Sequence, residues 1–122
     1  MKDGARILYV DDEEHFRELV QENLAPEGFN VSTAEDGDEA LSLLGSGQFD
    51  LVILDIRMPR MGGLEVLDEM KKRGIRSRVI VLTGVDDIDV AVQAARLGAN
   101  DYVTKPFEIE TLLGSINRIL SV

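Results

Sequence analysis

The chain contains no cysteine, and only one of its 122 residues is a histidine, His15. The absence of cysteine excludes disulfide bonds, thiolate metal sites and a thiol nucleophile. His15 stands beside Phe16 and off the apolar stripe of its predicted helix. We therefore expect an exposed, inert histidine, and any metal site must be built from oxygen ligands.

Positive charge is also scarce, because 13 Lys and Arg stand against 23 Asp and Glu, for a net charge of -10. Such a surface repels nucleic acid, so we expect no direct nucleic-acid binding by this domain. Long apolar runs are missing, which predicts no membrane span. Residues 1–5 lead directly into a predicted strand without the pattern of a signal peptide. The expected location is therefore cytoplasmic.

Linkers, low-complexity tracts and internal repeats are absent as well. Hydrophobic residues make up 44% of the chain. This content predicts a packed core despite the high charge. The length fits one domain, expected to cover residues 1–122.

Short apolar runs alternate with segments of helical periodicity along the whole chain. The predicted strands cover residues 6–10, 29–33, 51–54, 79–82 and 101–103. The predicted helices cover residues 13–24, 36–44, 64 to about 74, 86–97 and 109–120. Asp86 or Asp87 is the expected cap of the fourth helix, and Asp86, Asp87 and Asp89 are its expected solvated start. Strict alternation predicts an α/β fold, a doubly wound parallel sheet of five strands with five helices on both faces.

Polar residues follow four of these strands at the point where each strand ends. Asp11 and Asp12 follow the first strand, Asp55 the third, Thr83 the fourth and Lys105 the fifth. In doubly wound sheets, sites lie beyond the carboxyl ends of the strands. The pattern therefore predicts one site made of these side chains.

The chemistry of these groups points to phosphate and a hard cation. Carboxylates brought together repel one another, and a divalent ion such as Mg²⁺ removes that conflict. Lys105 would add a positive charge, and the Thr83 hydroxyl can donate to a phosphoryl oxygen. Beside a metal and a lysine, Asp55 can act as a nucleophile toward phosphorus.

At these residues the chain resembles a response-regulator receiver domain of two-component signalling over essentially its whole length. The resemblance rests on Asp11-Asp12, on Asp55-Ile56-Arg57-Met58-Pro59, on Thr83-Gly84 and on the run from Gly98 to Phe107. Residues 86–99 look most like receivers of the nitrogen-regulator or nodulation-regulator type. The implied fold is flavodoxin-like with strand order 2-1-3-4-5.

The resemblance implies that Asp55 accepts a phosphoryl group from a sensor histidine kinase or a histidine phosphotransfer protein. It implies Mg²⁺ held by Asp12, Asp55 and the backbone carbonyl of Arg57, with Asp11 acting through water. Further implied roles are phosphoryl contacts by Thr83 and Lys105, an inward rotation of Tyr102 and a cis Lys105-Pro106 bond. From the residues alone, the Tyr102 ring could pack inside or point outward.

The resemblance also implies that the surface of the fourth helix, fifth strand and fifth helix changes on phosphorylation, with a homodimer as one outcome. Some winged-helix regulators carry an Arg at the position of Ser115 for a dimer salt bridge. Ser115 departs from that pattern, so that dimer mode is not expected here.

Three other functions are weighed against this one. A haloacid-dehalogenase-type Mg²⁺-dependent phosphatase needs an acid two residues after its nucleophile, where this chain has Arg57, and a cap domain, which it lacks. A receiver fold that no longer takes phosphate would not need Asp55, Thr83 and Lys105 intact. A flavin-binding version is disfavoured because residues 11–14 are all acidic and would repel a flavin phosphate. We therefore expect a signalling domain rather than an enzyme.

Overall fold

The structure is a computed structural model that describes residues 4–121. Residues 1–3 and 122, which the expected domain includes, lie outside the described residues. The strands are β1 (Arg6–Val10), β2 (Asn30–Ala34), β3 (Leu51–Asp55), β4 (Arg78–Thr83) and β5 (Asp101–Thr104). The helices are α1 (Glu14–Leu24), α2 (Gly37–Ser46), α3 (Gly63–Lys72), α4 (Ile88–Arg96) and α5 (Ile109–Leu120), and a short 3₁₀ turn, Ala25–Glu27, follows α1.

The five strands form one parallel sheet in the order β2-β1-β3-β4-β5. The predicted doubly wound α/β fold and its strand order are confirmed. Boundaries differ by a few residues at most; β2, for example, begins at Asn30 rather than at Phe29. None of the helices described between residues 4 and 121 is long and apolar enough to cross a membrane.

The core has two layers, one on each face of the sheet. Successive side chains of a strand point to opposite faces, so each central strand feeds both layers. In β3 every residue is buried. Val52 and Leu54 pack with residues of α2 and α3, whereas Leu51 and Ile53 pack with residues of α1 and α5. This two-sided burial explains why the central strands are continuous aliphatic runs.

The starts of α2 and α4 differ in how their caps are made. At α2, the side chain of Asp36 accepts a hydrogen bond from the Glu39 backbone at 2.8 Å, which is an ordinary N-cap. At α4, Asp87 occupies the cap position but makes no capping hydrogen bond. Its carboxylate is bound by the Arg57 side chain instead, and only 13% of its side chain is exposed. Asp87 therefore takes the predicted cap position, but the predictions that it caps the helix and is solvated are wrong, whereas Asp86 and Asp89 are exposed as predicted.

Candidate functional site

The strand register brings the predicted site residues to one edge of the sheet. Val10 pairs with Leu54 in neighbouring strands, and Asp55 pairs with Leu82. Asp11 therefore follows β1 beside Asp55, the last residue of β3, and Thr83 closes β4 next to them. The chain reaches Lys105 directly after β5, with the peptide bond to Pro106 in the cis form, as expected.

Lys105 lies at the centre of the site. Its ammonium nitrogen donates to Asp11 Oδ1 at 3.0 Å, to Asp55 Oδ2 at 2.9 Å and to Glu13 Oε1 at 2.9 Å. It also lies 4.5 Å from the centre of the Phe16 ring. Asp11 and Asp55 are buried, so water solvates their carboxylates poorly. The single cation of Lys105 offsets their negative charge instead.

Asp11 is held more tightly than its place in the sequence indicates. The Tyr9 hydroxyl donates to Asp11 Oδ2 at 2.7 Å, and the Glu13 backbone donates to Asp11 Oδ1 at 3.0 Å. Tyr9 is fully buried, and its ring packs among core residues of the sheet and of α1 and α5. These contacts keep the Asp11 carboxylate in one orientation.

Three of the carboxylates could hold a metal ion. One oxygen from each of Asp11, Asp12 and Asp55 lies within 4.8 Å of the others. Asp12 is exposed, whereas the other two are buried. An all-oxygen set of this charge suits a hard divalent cation such as Mg²⁺ and is poorly suited to Zn²⁺. The acidic cluster thus fits the predicted magnesium site.

The electrostatics of the site follow from burial and from this cluster of charges. Burial raises the pKa of Asp55 to about 6, although hydrogen bonds from Lys105 and from the Arg57 backbone act in the opposite direction. Burial would lower the pKa of Lys105, but its bonds to Glu13, Asp55 and Asp11 outweigh this and raise it. Burial also raises the pKa of Tyr9, as does the neighbouring Asp11 charge, so Tyr9 stays a hydrogen-bond donor.

The backbone of Arg57 contacts the site, whereas its side chain points away from it. Its N–H donates to Asp55 Oδ1 at 3.1 Å. Its guanidinium turns toward α4 and pairs with Asp87. The predicted role of the Arg57 carbonyl as a metal ligand stays a prediction.

Thr83 and Tyr102 occupy different environments. Thr83 is buried at the end of β4, and its backbone carbonyl accepts from the Lys105 N–H at 2.7 Å. The Tyr102 side chain is directed outward and is 48% exposed. Of the two orientations that the sequence allowed for the Tyr102 ring, this conformation has the outward one.

Sequence reasoning missed Glu13 as a partner of Lys105, and it missed the Tyr9 hydroxyl. A signal was present for Tyr9, because residues two apart on an extended chain face the same side, which places Tyr9 next to Asp11. Arg17 was also missed; it donates to the Asp11 carbonyl at 2.8 Å. His15 is exposed as expected, with 70% of its side chain in solvent.

Comparisons with known proteins agree with this geometry. The family model for the response regulator receiver domain matches residues 7–117. YkoG of Bacillus subtilis (strain 168), an uncharacterized transcriptional regulatory protein, is 44% identical over 114 residues, which are 93% of this chain and 50% of YkoG. The chain thus spans about half the length of the first curated relatives it matches.

Two solved structures are similar over nearly the whole chain. The response regulator TrrA of Thermotoga maritima, in complex with Mg²⁺ and BeF, has a TM-score of 0.84 and 41% identity, and the match covers 95% of this chain and 99% of TrrA. NtrX of Brucella abortus has a TM-score of 0.89 and 40% identity, over 96% of this chain and 27% of NtrX. The NtrX match agrees with the predicted resemblance to nitrogen-regulator receivers. The chain belongs to the response regulator receiver domain family of two-component signalling.

Proposed function

We propose that Asp55 is the phosphoryl acceptor of this receiver and that the donor is a phosphohistidine on a sensor histidine kinase or a histidine phosphotransfer protein. The observation that carries the proposal is the contact between Lys105 Nζ and Asp55 Oδ2 at 2.9 Å, at the edge where the acidic cluster lies. Receiver domains of response regulators interact with kinases, which gives the donor class.

In the proposed step, a carboxylate oxygen of Asp55 forms a bond to phosphorus. The bond from phosphorus to the histidine nitrogen breaks, and that nitrogen keeps the electron pair. Lys105 then pairs with the phosphoryl oxygens, and the Thr83 hydroxyl donates to one of them. The present contacts support these roles, since Lys105 already binds the acceptor and Thr83 ends the neighbouring strand.

Asp11, Asp12, Asp55 and the Arg57 carbonyl are the proposed holders of Mg²⁺, with Asp11 acting through water. Bound there, the ion would neutralise charge on the transferring group. The contacts of Tyr9 and Glu13 with Asp11 support this role because they orient one of the carboxylates.

The proposed readout is a change in the surface formed by α4, β5 and α5. Large exposed hydrophobic side chains lie on or beside α4 and on β5: Val85, Ile88, Val92 and Tyr102. An inward rotation of Tyr102 would remove one of them from this surface. A phosphorylation-dependent homodimer could use the same face. Ser115 carries no charge and so can form no salt bridge to a second copy; it is buried, and its hydroxyl donates to Asp101 at 2.5 Å in the same chain.

Intact-mass spectrometry after incubation with acetyl phosphate and Mg²⁺ tests the proposal. We expect one phosphoryl adduct on the wild-type chain, none on Asp55→Asn, and an unchanged adduct on Asp89→Asn, which removes an exposed carboxylate on α4. An adduct that persists in Asp55→Asn would overturn the assignment. Repeated turnover of an aryl phosphate would favour a phosphatase instead, and unchanged amide NMR shifts with beryllofluoride and Mg²⁺ would favour a receiver that takes no phosphate.

A further inference from the structure

The lysines and arginines of the described residues fall into two groups. Most have a carboxylate oxygen within 4.0 Å: Arg17, Arg57, Arg60, Lys72, Arg73, Lys105 and Arg118. No such carboxylate among residues 4–121 pairs with the other five: Arg6, Lys71, Arg76, Arg78 and Arg96. All five line two adjoining cavities at one place on the molecule.

These cavities lie at the edge of the sheet opposite to Asp55. Arg6 opens β1 and Arg78 opens β4, so both mark the amino ends of the strands. The larger cavity has a volume of about 670 Å³ and the smaller one about 400 Å³, and both are lined by residues 75–78. We call the two together the basic cleft. Asp50 is its only acidic lining residue among those described.

Parts of the basic cleft are held in place by the fold. The Arg6 guanidinium lies 4.9 Å from the centre of the Phe49 ring. One terminal nitrogen of Arg78 donates to the Ile119 carbonyl at 2.8 Å. A guanidinium has five N–H donors, so most of the donors of these two arginines remain available. Their positions are set by contacts that do not use up their charge.

The other three cations of the basic cleft have no partner among residues 4–121. The side chains of Lys71, Arg76 and Arg96 make no hydrogen bond or ion pair with any residue between 4 and 121. Lys71 and Arg96 lie in the last turns of α3 and α4, where a cation stabilises the helix end. Stabilisation of a helix end does not explain Arg76, which lies in the loop before β4, or Arg6, which lies in β1.

We propose that the basic cleft binds a small molecule that carries two or more phosphate groups. The planar fork of arginine matches phosphate oxygens, and cavities of this size are typical of small-molecule sites. Five cations spread over two joined cavities exceed what one monoanion can contact. The net charge of -10 repels extended polyanions such as nucleic acid, whereas a compact anion meets mainly the local positive field.

The test is a titration of ¹⁵N-labelled protein with inorganic tripolyphosphate and, separately, with ADP, at constant ionic strength with a chelator and without Mg²⁺. We expect saturable amide shifts at residues 47–50, 74–78 and 96–100. Arg76→Ala combined with Arg96→Ala, both at exposed positions, should weaken binding about tenfold or more, since charge-assisted contacts are lost. If ADP binds more tightly than tripolyphosphate, the ligand is a nucleotide. If the two bind equally, the cleft recognises the phosphate chain alone. Both results support the proposal.

The matched control is Lys72→Ala combined with Arg73→Ala. It removes the same number of positive charges, at the carboxyl end of α3, but these cations already have carboxylate partners. An equal loss of affinity in this control would overturn the proposal, as would the absence of saturation, equally tight binding of sulfate, or tighter binding of a Glu-rich peptide. Asp55→Asn should bind as the wild type does, so the outcome is independent of the proposed phosphoryl transfer.

Discussion

Arg57 and Asp87 form a two-point ion pair that joins the loop after β3 to the start of α4. Arg57 Nε donates to Asp87 Oδ2 at 3.1 Å, and a terminal nitrogen donates to Oδ1 at 2.5 Å. The pair raises the pKa of Arg57 and lowers that of Asp87 through its hydrogen bonds. Arg57, two positions after Asp55, thus links the proposed acceptor to α4, which carries the exposed side chains of Ile88 and Val92.

Breaking this pair should loosen the beginning of α4. In Arg57→Ala and in Asp87→Asn we expect faster amide hydrogen exchange over residues 84–91, with β1 and β3 unchanged, because the start of α4 loses its tie to the loop. The charge-swapped pair, Arg57→Asp with Asp87→Arg, should restore slow exchange. Arg60→Ala is the control, since Arg60 lies in the same loop as Arg57 but pairs with Asp36 at the start of α2. Equal loosening by Arg60→Ala would contradict the assignment.

Lys105→Met should destabilise the protein and strengthen its response to Mg²⁺. The substitution leaves Asp11 and Asp55 buried without their cation, at an expected cost of about 2 kcal/mol in the free energy of unfolding without metal. Mg²⁺ then meets the same carboxylates without a competing amine, so the rise in Tm on adding Mg²⁺ should exceed that of the wild type. Lys72→Met, on the surface of α3, should show the wild-type rise; a smaller rise in Lys105→Met would refute the prediction.

The raised pKa of Asp55 predicts a specific pH dependence of stability. A carboxyl group with a pKa of about 6 in the folded chain and an ordinary value in the unfolded chain binds more protons when folded. Its contribution to stability is therefore favourable at low pH and is lost as pH rises from about 4 to about 6. Relative to Asp55→Asn, the wild type should lose about 2 kcal/mol over this window.

Urea unfolding of both proteins at several pH values, with a chelator present, measures this difference directly. Comparing the two proteins removes the contributions of other titrating groups, including Asp87, whose lowered pKa acts in the opposite direction. A difference that is constant with pH, or that grows in favour of the wild type, would contradict the raised pKa.

Gly63 is expected to tolerate no side chain. A Cβ atom there would lie 2.5 Å from the Asp55 carbonyl oxygen and 2.8 Å from Ile56 Cα. Since both neighbours are backbone atoms, Gly63→Ala should cost about 2 kcal/mol or more and shift the main chain at the acceptor. Gly114→Ala, in α5 with no atom near its Cβ position, should be neutral or stabilise the chain by up to about 1 kcal/mol. Chemical denaturation of both variants is the measurement, and equal stabilities would refute the steric argument.

The fold and the position of the site could be predicted because both follow from the strand pattern. Four apolar runs that end on polar groups place those groups at one edge once the sheet is parallel. Asp11 and Asp55 lie next to Lys105 for this reason. The chemistry of these groups indicated phosphate and a hard cation, and the family resemblance gave the individual roles, which stay proposals.

Contacts made by loops and by long side chains could not be predicted. Nothing in the periodicity shows that Glu13 reaches Lys105, since its orientation depends on the turn between β1 and α1. The error at Asp87 has a similar origin. A local rule for helix caps competes with a partner thirty residues away along the chain, and the distant guanidinium binds the carboxylate.

The bond from Lys105 to Asp11 joins residues separated by 94 positions. A chain still emerging from the ribosome, or one whose last strand has come loose, keeps Asp11 and Asp55 but leaves them without their shared cation. Under the proposed function, such a molecule is a poor substrate for the kinase. The proposed acceptor site is therefore complete only in a molecule whose β5 has joined the sheet.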